Sequence, residues 1–434
     1  MQMTATKDLP VQKVEKGKGF KLLRRSFAVL GPGLITGAAD DDPSGISTYS
    51  VAGAAYGYAT LWIALVTFPL MAAIQLMCAR LGMVTGSGLA AAVRTYYPRW
   101  VLWGACSILV VANVINIGAD LGGMAEATQL VTGIRALIWI PFYALFIIGL
   151  LIWTSYKVIA KIFKWLTLVL FAYVLASFYA HVDWRHALAV TFVPHLEWSR
   201  GFLAVLVAIL GTTISPYLFF WQAAEEVEEE RAKGRTLAQS KGATTGELRT
   251  ARADTIAGMF FSNFIMYFII LTTAATLHAH GQTDITTARQ AAEALRPLAG
   301  NGAYLLFTLG LIGTGMLGVP VLVGSCAYAV AEGAAWRGSM ADKPRSARKF
   351  YAVMAVAMTL GLVLNFAGFN AVRMLFWSAV INGLLAPPLI LLVILLTSSH
   401  KVMGQHANSV LLRCVGWATF GVMTAAAVGM ILTS

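Results

Sequence analysis

The sequence predicts an all-helical protein that crosses a membrane eleven times, with breaks in its first and sixth spans. Three observations lead to this prediction: the composition, a series of long apolar runs, and two polar interruptions within those runs. The chain has 434 residues, of which 58% are hydrophobic and 12% are charged. A soluble domain could not bury that much apolar surface, so the composition indicates a polytopic membrane protein.

Apolar runs of about 20 residues are long enough to cross a bilayer core as a helix. Such runs predict spans at residues 27–56, 58–84, 100–124, 135–154, 156–181, 201–224, 254–279, 303–333, 350–369, 371–397 and 409–432. Residues 27–434 are therefore expected to form one transmembrane domain. Residues 1–26 are expected to form a basic cytoplasmic tail, because they lack the apolar core of a signal peptide.

The distribution of charge predicts the orientation of the chain. The net charge is +12. If the N-terminus is inside, 26 of the 32 Lys and Arg residues fall on the cytoplasmic side. This positive-inside bias predicts a cytoplasmic N-terminus and an external C-terminus in a cell membrane, the inner membrane if the source is bacterial. The bias also accounts for the charge without a nucleic-acid partner, and nothing in the sequence implies a protein partner.

The spans contain no arrangement typical of an enzyme. No Ser/His, Cys/His or HExxH constellation lies within a predicted span, so catalysis is not expected. The four cysteines have unrelated spacings, which predicts small buried apolar residues and neither a disulfide nor a zinc site. They are Cys78, Cys106, Cys326 and Cys414.

The first span contains three consecutive carboxylates, Asp40–Asp42, followed by a proline. Pro43 lacks a backbone donor and Gly45 permits non-helical backbone angles, so Asp42-Pro43-Ser44-Gly45 is expected to be unwound. The carbonyl groups freed at the end of the first half-helix, including that of Ala39, would join the carboxylates in an oxygen-rich cation site. The alternative is that Asp40–Asp42 only caps a helix at the membrane surface.

The sixth span repeats this pattern. Thr212, Thr213 and Ser215 precede Pro216 in mid-span, which predicts a second broken helix. Interruptions at corresponding positions of two five-helix halves indicate the central site of a transporter. The following segment, Glu225–Arg252, is expected to be a solvated cytoplasmic linker.

Two further polar residues lie inside predicted spans. Asp120, in the third span, is a functional candidate because charge within a membrane is costly, although it could simply pair with a polar neighbour. Asn382, in the tenth span, either bonds to a neighbouring helix or supports the site. The small residues at Gly33/Gly37 and Gly118/Gly122 are expected to allow close helix packing.

At these residues the chain resembles the Nramp family of divalent-metal transporters, and the resemblance covers nearly the whole sequence. The family's first span has Gly-Pro-Gly, eight residues, then Asp-Pro-Gly-Asn. Here Gly31-Pro32-Gly33 is followed by eight residues and then Asp42-Pro43-Ser44-Gly45. The resemblance implies a LeuT-type fold of two inverted five-helix repeats plus an eleventh helix. It also implies that Asp42 is a metal ligand and that the carbonyl of Thr212 faces the ion.

The departures from the family pattern are informative. The family's ligand Asn is Gly45 here and its ligand Met is Ser215, while its two sixth-span His residues correspond to Tyr217 and Gln222. The Asp-x-x-Glu pattern of the third span ends in Gly123, and a tenth-span Gln appears as Ala379. This pattern resembles the Nramp-related magnesium transporters, so Mg²⁺ is the expected cargo and Mn²⁺ a second candidate, with no cofactor.

Ligand chemistry favours the same ion. A thioether suits softer transition metals, whereas hydroxyl and carboxylate oxygens suit Mg²⁺. Mg²⁺ also keeps several waters around one or two carboxylates, and Gly45 in place of Asn enlarges the pocket. The expected metal site comprises Asp42, Gly45, Thr212, Ser215, Asp41 and Ala39. Asp120, Tyr217, Gln222 and Asn382 are expected to support it.

Other functions stay open at this point. The first alternative is a proton-coupled Mn²⁺/Fe²⁺ transporter of the ordinary Nramp type. A second is a sodium-coupled amino-acid carrier, although three carboxylates beside the break disfavour an anionic group there. A third is a non-transporting sensor. Because the predicted site contains no imidazole, transport without proton coupling is expected.

Overall fold

The computed structural model describes residues 31–155, 158, 161, 165, 168–232 and 242–433, and every regular element in these residues is helical. In chain order the helices are α1 (Pro32–Asp40), α2 (Pro43–Tyr56), α3 (Trp62–Thr85), α4 (Leu89–Tyr96), α5 (Arg99–Thr132), α6 (Ala136–Trp153), α7 (Phe171–Tyr179), α8 (Trp184–Phe192), α9 (Arg200–Thr213), α10 (Pro216–Ala232), α11 (Thr245–Thr276), α12 (Ala288–Glu293), α13 (Arg296–Ala299), α14 (Ala303–Gly333), α15 (Arg348–Leu364), α16 (Ala371–Ser398), α17 (His400–Met403) and α18 (Val410–Leu432). The basic tail and most of residues 156–167 lie outside the described residues.

The length and surface of the helices confirm a membrane protein. Nine apolar segments in the described residues are long enough to cross a membrane. The broken first span adds α1 and α2, and Leu168–Tyr179 is a shorter apolar helix within the fifth predicted span. Large apolar side chains are exposed on the outside of the bundle, for example Trp153 at 86% and Leu432 at 79%. Such a surface fits contact with lipid, and the protein is a multi-pass membrane protein.

The predicted breaks in the first and sixth spans are confirmed. α1 ends at Asp40 and α2 begins at Pro43, while α9 ends at Thr213 and α10 begins at Pro216. Each proline occupies the first position of its half-helix, where its missing N–H is not needed. The limits expected for the first break are wrong, however. Only residues 41 and 42 leave the helix, because Pro43–Gly45 already forms the first turn of α2.

Several predicted span limits are also wrong. α5 continues to Thr132, α11 begins at Thr245, and α10 continues to Ala232. The extension of α10 overturns the expected solvated linker at its start, because Glu225, Glu226 and Glu230 are at most 5% exposed. α10 continues beyond the end of its apolar run, and these acids therefore lie inside the bundle.

Close packing at the small residues is confirmed. A Cβ atom on Gly37 would lie 2.3 Å from the Gly258 carbonyl oxygen, and one on Gly258 would lie 2.1 Å from the Gly33 carbonyl oxygen. α1 and α11 therefore touch backbone to backbone. In the third span, a Cβ atom on Gly118 would lie 2.8 Å from the carbonyl oxygen of Gly361 in α15.

The cysteines follow the expectation with one exception. Cys78, Cys106 and Cys326 are buried and none of the four forms a disulfide. Cys414 is exposed, so the expected burial is wrong there. It lies on α18, a span of which only 33% is buried by the rest of the bundle.

Candidate metal centre

The break in the first span is organised by the side chain of Asp42. Its Oδ1 accepts hydrogen bonds from the Gly45 backbone N–H at 2.8 Å and from the Ser44 hydroxyl at 2.7 Å. These bonds cap α2, whose first N–H groups have no partner within the helix. Asp42 therefore caps a helix, as the alternative interpretation proposed. However, it is only 1% exposed and lies inside the bundle, not at its surface.

The second carboxylate oxygen of Asp42 faces the other elements of the site. Asn116 of α5 donates its side-chain amide to Asp42 Oδ2 at 3.0 Å. The Tyr217 hydroxyl lies 3.4 Å from the same oxygen and 3.1 Å from the Ala39 carbonyl oxygen. With one proton to donate, Tyr217 is shared between these two acceptors. The end of α1, the start of α2 and the start of α10 are therefore joined through the Tyr217 hydroxyl.

The break in the sixth span lies against the start of α2. A Cβ atom on Gly45 would lie 3.2 Å from Thr212 Oγ1, so these two expected site residues are neighbours. The Ser215 hydroxyl turns back to the end of α9, where it lies 2.7 Å from the Thr212 carbonyl oxygen and 2.9 Å from that of Gly211. These carbonyl groups are freed by the break, and each keeps a second lone pair for a further partner.

Several buried oxygen atoms around the break have no hydrogen-bond partner among the described residues. They are Asp40 Oδ1, the Tyr49 hydroxyl, Asn116 Oδ1, both carboxylate oxygens of Asp120, and Thr212 Oγ1. Asp120 lies close to the Ser44 amide, and the Tyr49 and Thr212 hydroxyls lie close to each other. Buried polar atoms usually have a partner. A concentration of unpaired acceptors therefore fits a cation or its waters.

Asp40 and Asp41 face α11. The Ser262 hydroxyl lies 2.5 Å from Asp40 Oδ2 and 3.2 Å from Asp41 Oδ1. Asp41 is therefore held on the α11 side of the break, whereas Asp42 faces α5 and α10. The structure does not join Asp41 directly to the carboxylate of Asp42.

Two other expected site residues, Gln222 and Asn382, form no hydrogen bond with Asp42. Gln222 accepts a hydrogen bond from the Thr36 hydroxyl at 2.6 Å and donates to Glu226 at 2.9 Å. It thereby connects α10 to α1 more than a turn beyond Tyr217. Asn382 of α16 is buried, and its amide has no partner among the described residues.

The surroundings of the first break are acidic, because the carboxylates of Asp40, Asp41, Asp42 and Asp120 are all buried there. The described residues contain no group of three His, Cys, Asp or Glu side chains that could hold a metal ion. A cation at Asp42 would therefore need hydroxyl, amide and carbonyl oxygens besides the carboxylate. These are the donors of a hard-cation site.

Asn116 and Ser262 were not expected from the sequence. Asn116 precedes Asp120 by four residues on one helix, so helical periodicity places both on the same face and would have indicated it. Ser262 carries no such signal. It lies about 220 residues from its partners, and one serine in an apolar helix is ordinary.

A comparison with known protein families identifies the family of this chain. The profile of the Nramp family, described as natural resistance-associated macrophage protein-like, matches residues 33–433. The chain belongs to the Nramp family. The divalent metal cation transporter MntH of Klebsiella pneumoniae is 28% identical over 418 residues, which cover 95% of each chain. MntH of Mesorhizobium japonicum is 29% identical over 302 residues, which cover 68% of this chain and 64% of that protein.

Solved structures show the LeuT-type fold of this Nramp protein. A manganese transporter of Eremococcus coleocola superimposes with a TM-score of 0.74 at 19% identity, over 96% of this chain and 87% of that one. MhsT in complex with L-phenylalanine superimposes with a TM-score of 0.58 at 13% identity, over 92% and 97%. The predicted fold of two inverted repeats with broken first helices is confirmed. The MntH relatives are metal cation transporters and not enzymes, which agrees with the prediction that this chain is not an enzyme.

Proposed function

We propose that this protein imports a divalent metal cation, that its cargo is largely hydrated Mg²⁺, and that import is not coupled to protons. Family membership supports the class of cargo, because the similar MntH proteins are divalent metal cation transporters. The proposal includes a cytoplasmic N-terminus, which the positive-inside bias supports. The carboxylate of Asp42 supplies the central negative charge.

The observation that carries the Mg²⁺ assignment is the set of unpaired buried oxygens around Asp42. Mg²⁺ gives up its waters reluctantly and usually binds through one or two carboxylates with its remaining waters in place. Each retained water needs acceptors for its hydrogens. The oxygens of Asp120, Asn116 and Thr212 supply acceptors on different sides of the break.

The residues at two expected ligand positions, Ser215 and Gly45, point in the same direction. Ser215 stands where the ordinary Nramp pattern has a Met, and its hydroxyl oxygen is a hard donor. Gly45 offers no side-chain ligand, so nothing at that position takes the place of a water. A dehydrated Mn²⁺ ion would find here neither the sulfur ligand nor the amide ligand of the ordinary Nramp pattern.

Proton-coupled Mn²⁺/Fe²⁺ transport of the ordinary Nramp type is the second candidate function. It is favoured by the superposition on the manganese transporter of Eremococcus coleocola. The amino-acid carrier is disfavoured, because Asp40, Asp41 and Asp42 crowd negative charge where a substrate carboxylate would bind.

Flux into vesicles tests these functions directly. Purified protein in sealed vesicles should take up Mg²⁺ at millimolar concentration and should not take up amino acids. Uptake of Mn²⁺ at micromolar concentration without any Mg²⁺ uptake would replace the Mg²⁺ assignment by the second candidate. Sodium-driven uptake of an amino acid would reject metal transport altogether.

A further inference from the structure

A cavity of about 500 Å³ lies on the outer flank of the bundle, between α3 and the first half of α11. Arg249 and Arg252 line its polar end, and Ile256, Phe260 and Phe68 line its apolar part. Phe260 is 49% exposed and its ring packs edge-on against Phe68 at 5.9 Å. The cavity therefore opens on the lipid-facing surface and has aromatic walls.

Basic and apolar side chains follow each other along one face of α11. Arg249, Arg252, Ile256 and Phe260 follow each other at intervals of three and four residues, which places them on one helix face. The helix begins at Thr245, so the two arginines lie in its first turns and the apolar residues lie deeper in the span. The face is basic near the membrane boundary and apolar towards the membrane centre.

The two arginines are available for a ligand. Neither guanidinium has a hydrogen bond or ion pair within the part of the chain that the structure describes, and both side chains are exposed. Arg80 of α3 adds a third positive charge near Arg252. The two acids closest in sequence have other partners. Asp254 accepts a hydrogen bond from the Gly33 N–H of α1 at 2.7 Å, and Glu247 accepts hydrogen bonds from the backbone N–H and the hydroxyl of Thr244, each at 2.8 Å.

We propose that this cavity binds an anionic phospholipid. Its phosphate would contact Arg249 and Arg252, since a guanidinium is positively charged and its planar fork can donate two hydrogen bonds to two phosphate oxygens. One acyl chain would lie along Ile256, Phe260 and Phe68. Basic pockets beside membrane helices, at the boundary where the headgroups lie, are suited to anionic lipid. A free phosphate would use only the arginine end and leave the apolar part without an occupant.

Native mass spectrometry with a mixture of phosphatidylglycerol and phosphatidylcholine tests this site. The parent protein should retain phosphatidylglycerol preferentially. The double variant Arg249→Ala/Arg252→Ala should reduce that retention on the order of tenfold. The matched control is Arg345→Ala/Arg348→Ala, which removes two exposed arginines with the same spacing and should leave retention unchanged. Equal losses in both double variants, or no loss in the first, would overturn the proposal.

A competition experiment on the parent protein separates lipid from free phosphate and does not depend on the folding of a variant. Glycerol phosphate has the charge of the headgroup but no acyl chain. At millimolar concentration it should not displace phosphatidylglycerol. Displacement by glycerol phosphate would show a simple phosphate site and reject a lipid site. Preferential retention of phosphatidylcholine would reject charge recognition.

Discussion

Asn116 of α5 donates its side-chain amide to Asp42 at the break in the first span, with 3.0 Å between Nδ2 and Oδ2. The amide thereby orients the carboxylate oxygen that is not used to cap α2. Its own carbonyl oxygen, Oδ1, has no partner among the described residues. Asn116 is thus a positioning residue for the Asp42 carboxylate, and its Oδ1 is a further hydrogen-bond acceptor beside the proposed cation site.

The charge of Asp42 is expected to be essential for transport. Asp42→Ala should nearly abolish Mg²⁺ uptake, and Asp42→Asn, which keeps the shape, should do so as well. Loss of the helix cap should cost only about 1 kcal/mol of stability. Uptake into vesicles measures the effect, and size-exclusion chromatography checks the fold. Parental uptake in both variants would remove Asp42 from the site.

The contact between Asn116 and Asp42 predicts a milder effect. Asn116→Ala should weaken the apparent affinity for Mg²⁺ by about 10–100-fold, the usual effect of losing a partner that orients a metal ligand. The concentration dependence of uptake measures it. Asn113→Ala is a suitable control, because Asn113 lies one turn earlier and donates to the Leu322 carbonyl oxygen, not to Asp42. Equal shifts in both variants would indicate a general packing defect.

The two breaks were predictable from the sequence, but not from proline alone. Pro69, Pro141 and Pro320 lie inside continuous helices. Pro43 and Pro216 follow polar residues, whose side chains can satisfy the backbone groups that a break exposes. The combination of proline with neighbouring hydroxyl or carboxylate groups was therefore the informative signal.

The partners within the site were harder to predict. The break is only two residues long, so a shift of one residue along the chain would point each carboxylate at a different helix. The sequence does not show this register. Asp41 accordingly meets Ser262 on α11, while Asp42 meets Asn116 on α5. The burial of Glu226 also escaped prediction, because composition does not show that α10 continues past its apolar run.

The backbone contact between α1 and α11 predicts a strong dependence on one glycine. Gly258→Ala should lower stability by about 1–3 kcal/mol, because the new methyl group would overlap the Gly33 carbonyl and force the helices apart. The thermal unfolding temperature of the purified protein measures this loss. Gly246→Ala on the same helix is the control, since nothing lies within 4 Å of that position, and it should cause no loss. A Gly258→Ala protein as stable as the parent would contradict the close contact.

Selectivity is expected to depend on Ser215 and Gly45 together. Ser215→Met with Gly45→Asn should shift preference from Mg²⁺ towards Mn²⁺ by adding a soft sulfur and an amide that replaces water. A Cβ atom at Gly45 would lie 3.2 Å from Thr212 Oγ1, so this hydroxyl would have to move by a few tenths of an ångström. The change is measured as the ratio of Mn²⁺ to Mg²⁺ uptake.

A matched variant separates ligand chemistry from bulk. Ser215→Leu with Gly45→Ala adds apolar volume without a sulfur or amide ligand, and Leu and Met have similar volumes. This variant should lose Mg²⁺ uptake without gaining Mn²⁺ uptake. A gain of Mn²⁺ uptake in both double variants would mean that pocket size, not ligand type, sets the preference.

Transport without proton coupling is the prediction that most separates this protein from the second candidate. The titratable groups of the ordinary family pattern, a third-span Glu and two sixth-span His residues, are replaced here by Gly123, Tyr217 and Gln222. The second acid of the family's third-span pattern is replaced by Gly123, where a Cβ atom would lie 2.8 Å from Leu375 Cδ1. Gln222, bound to Thr36 and Glu226, stands where the ordinary family pattern has a His and does not titrate.

The membrane potential alone supplies enough driving force for a divalent cation. Moving one charge through 100 mV is worth about 2.3 kcal/mol, so a divalent ion gains about 4.6 kcal/mol. That is more than a thousandfold in concentration, at about 1.4 kcal/mol per tenfold. Uptake of Mg²⁺ should therefore increase with an inward-negative potential set by a potassium gradient and valinomycin, while a pH dye inside the vesicles stays silent. Acidification that requires Mg²⁺ and disappears in Asp120→Asn would show that protons accompany the ion through Asp120.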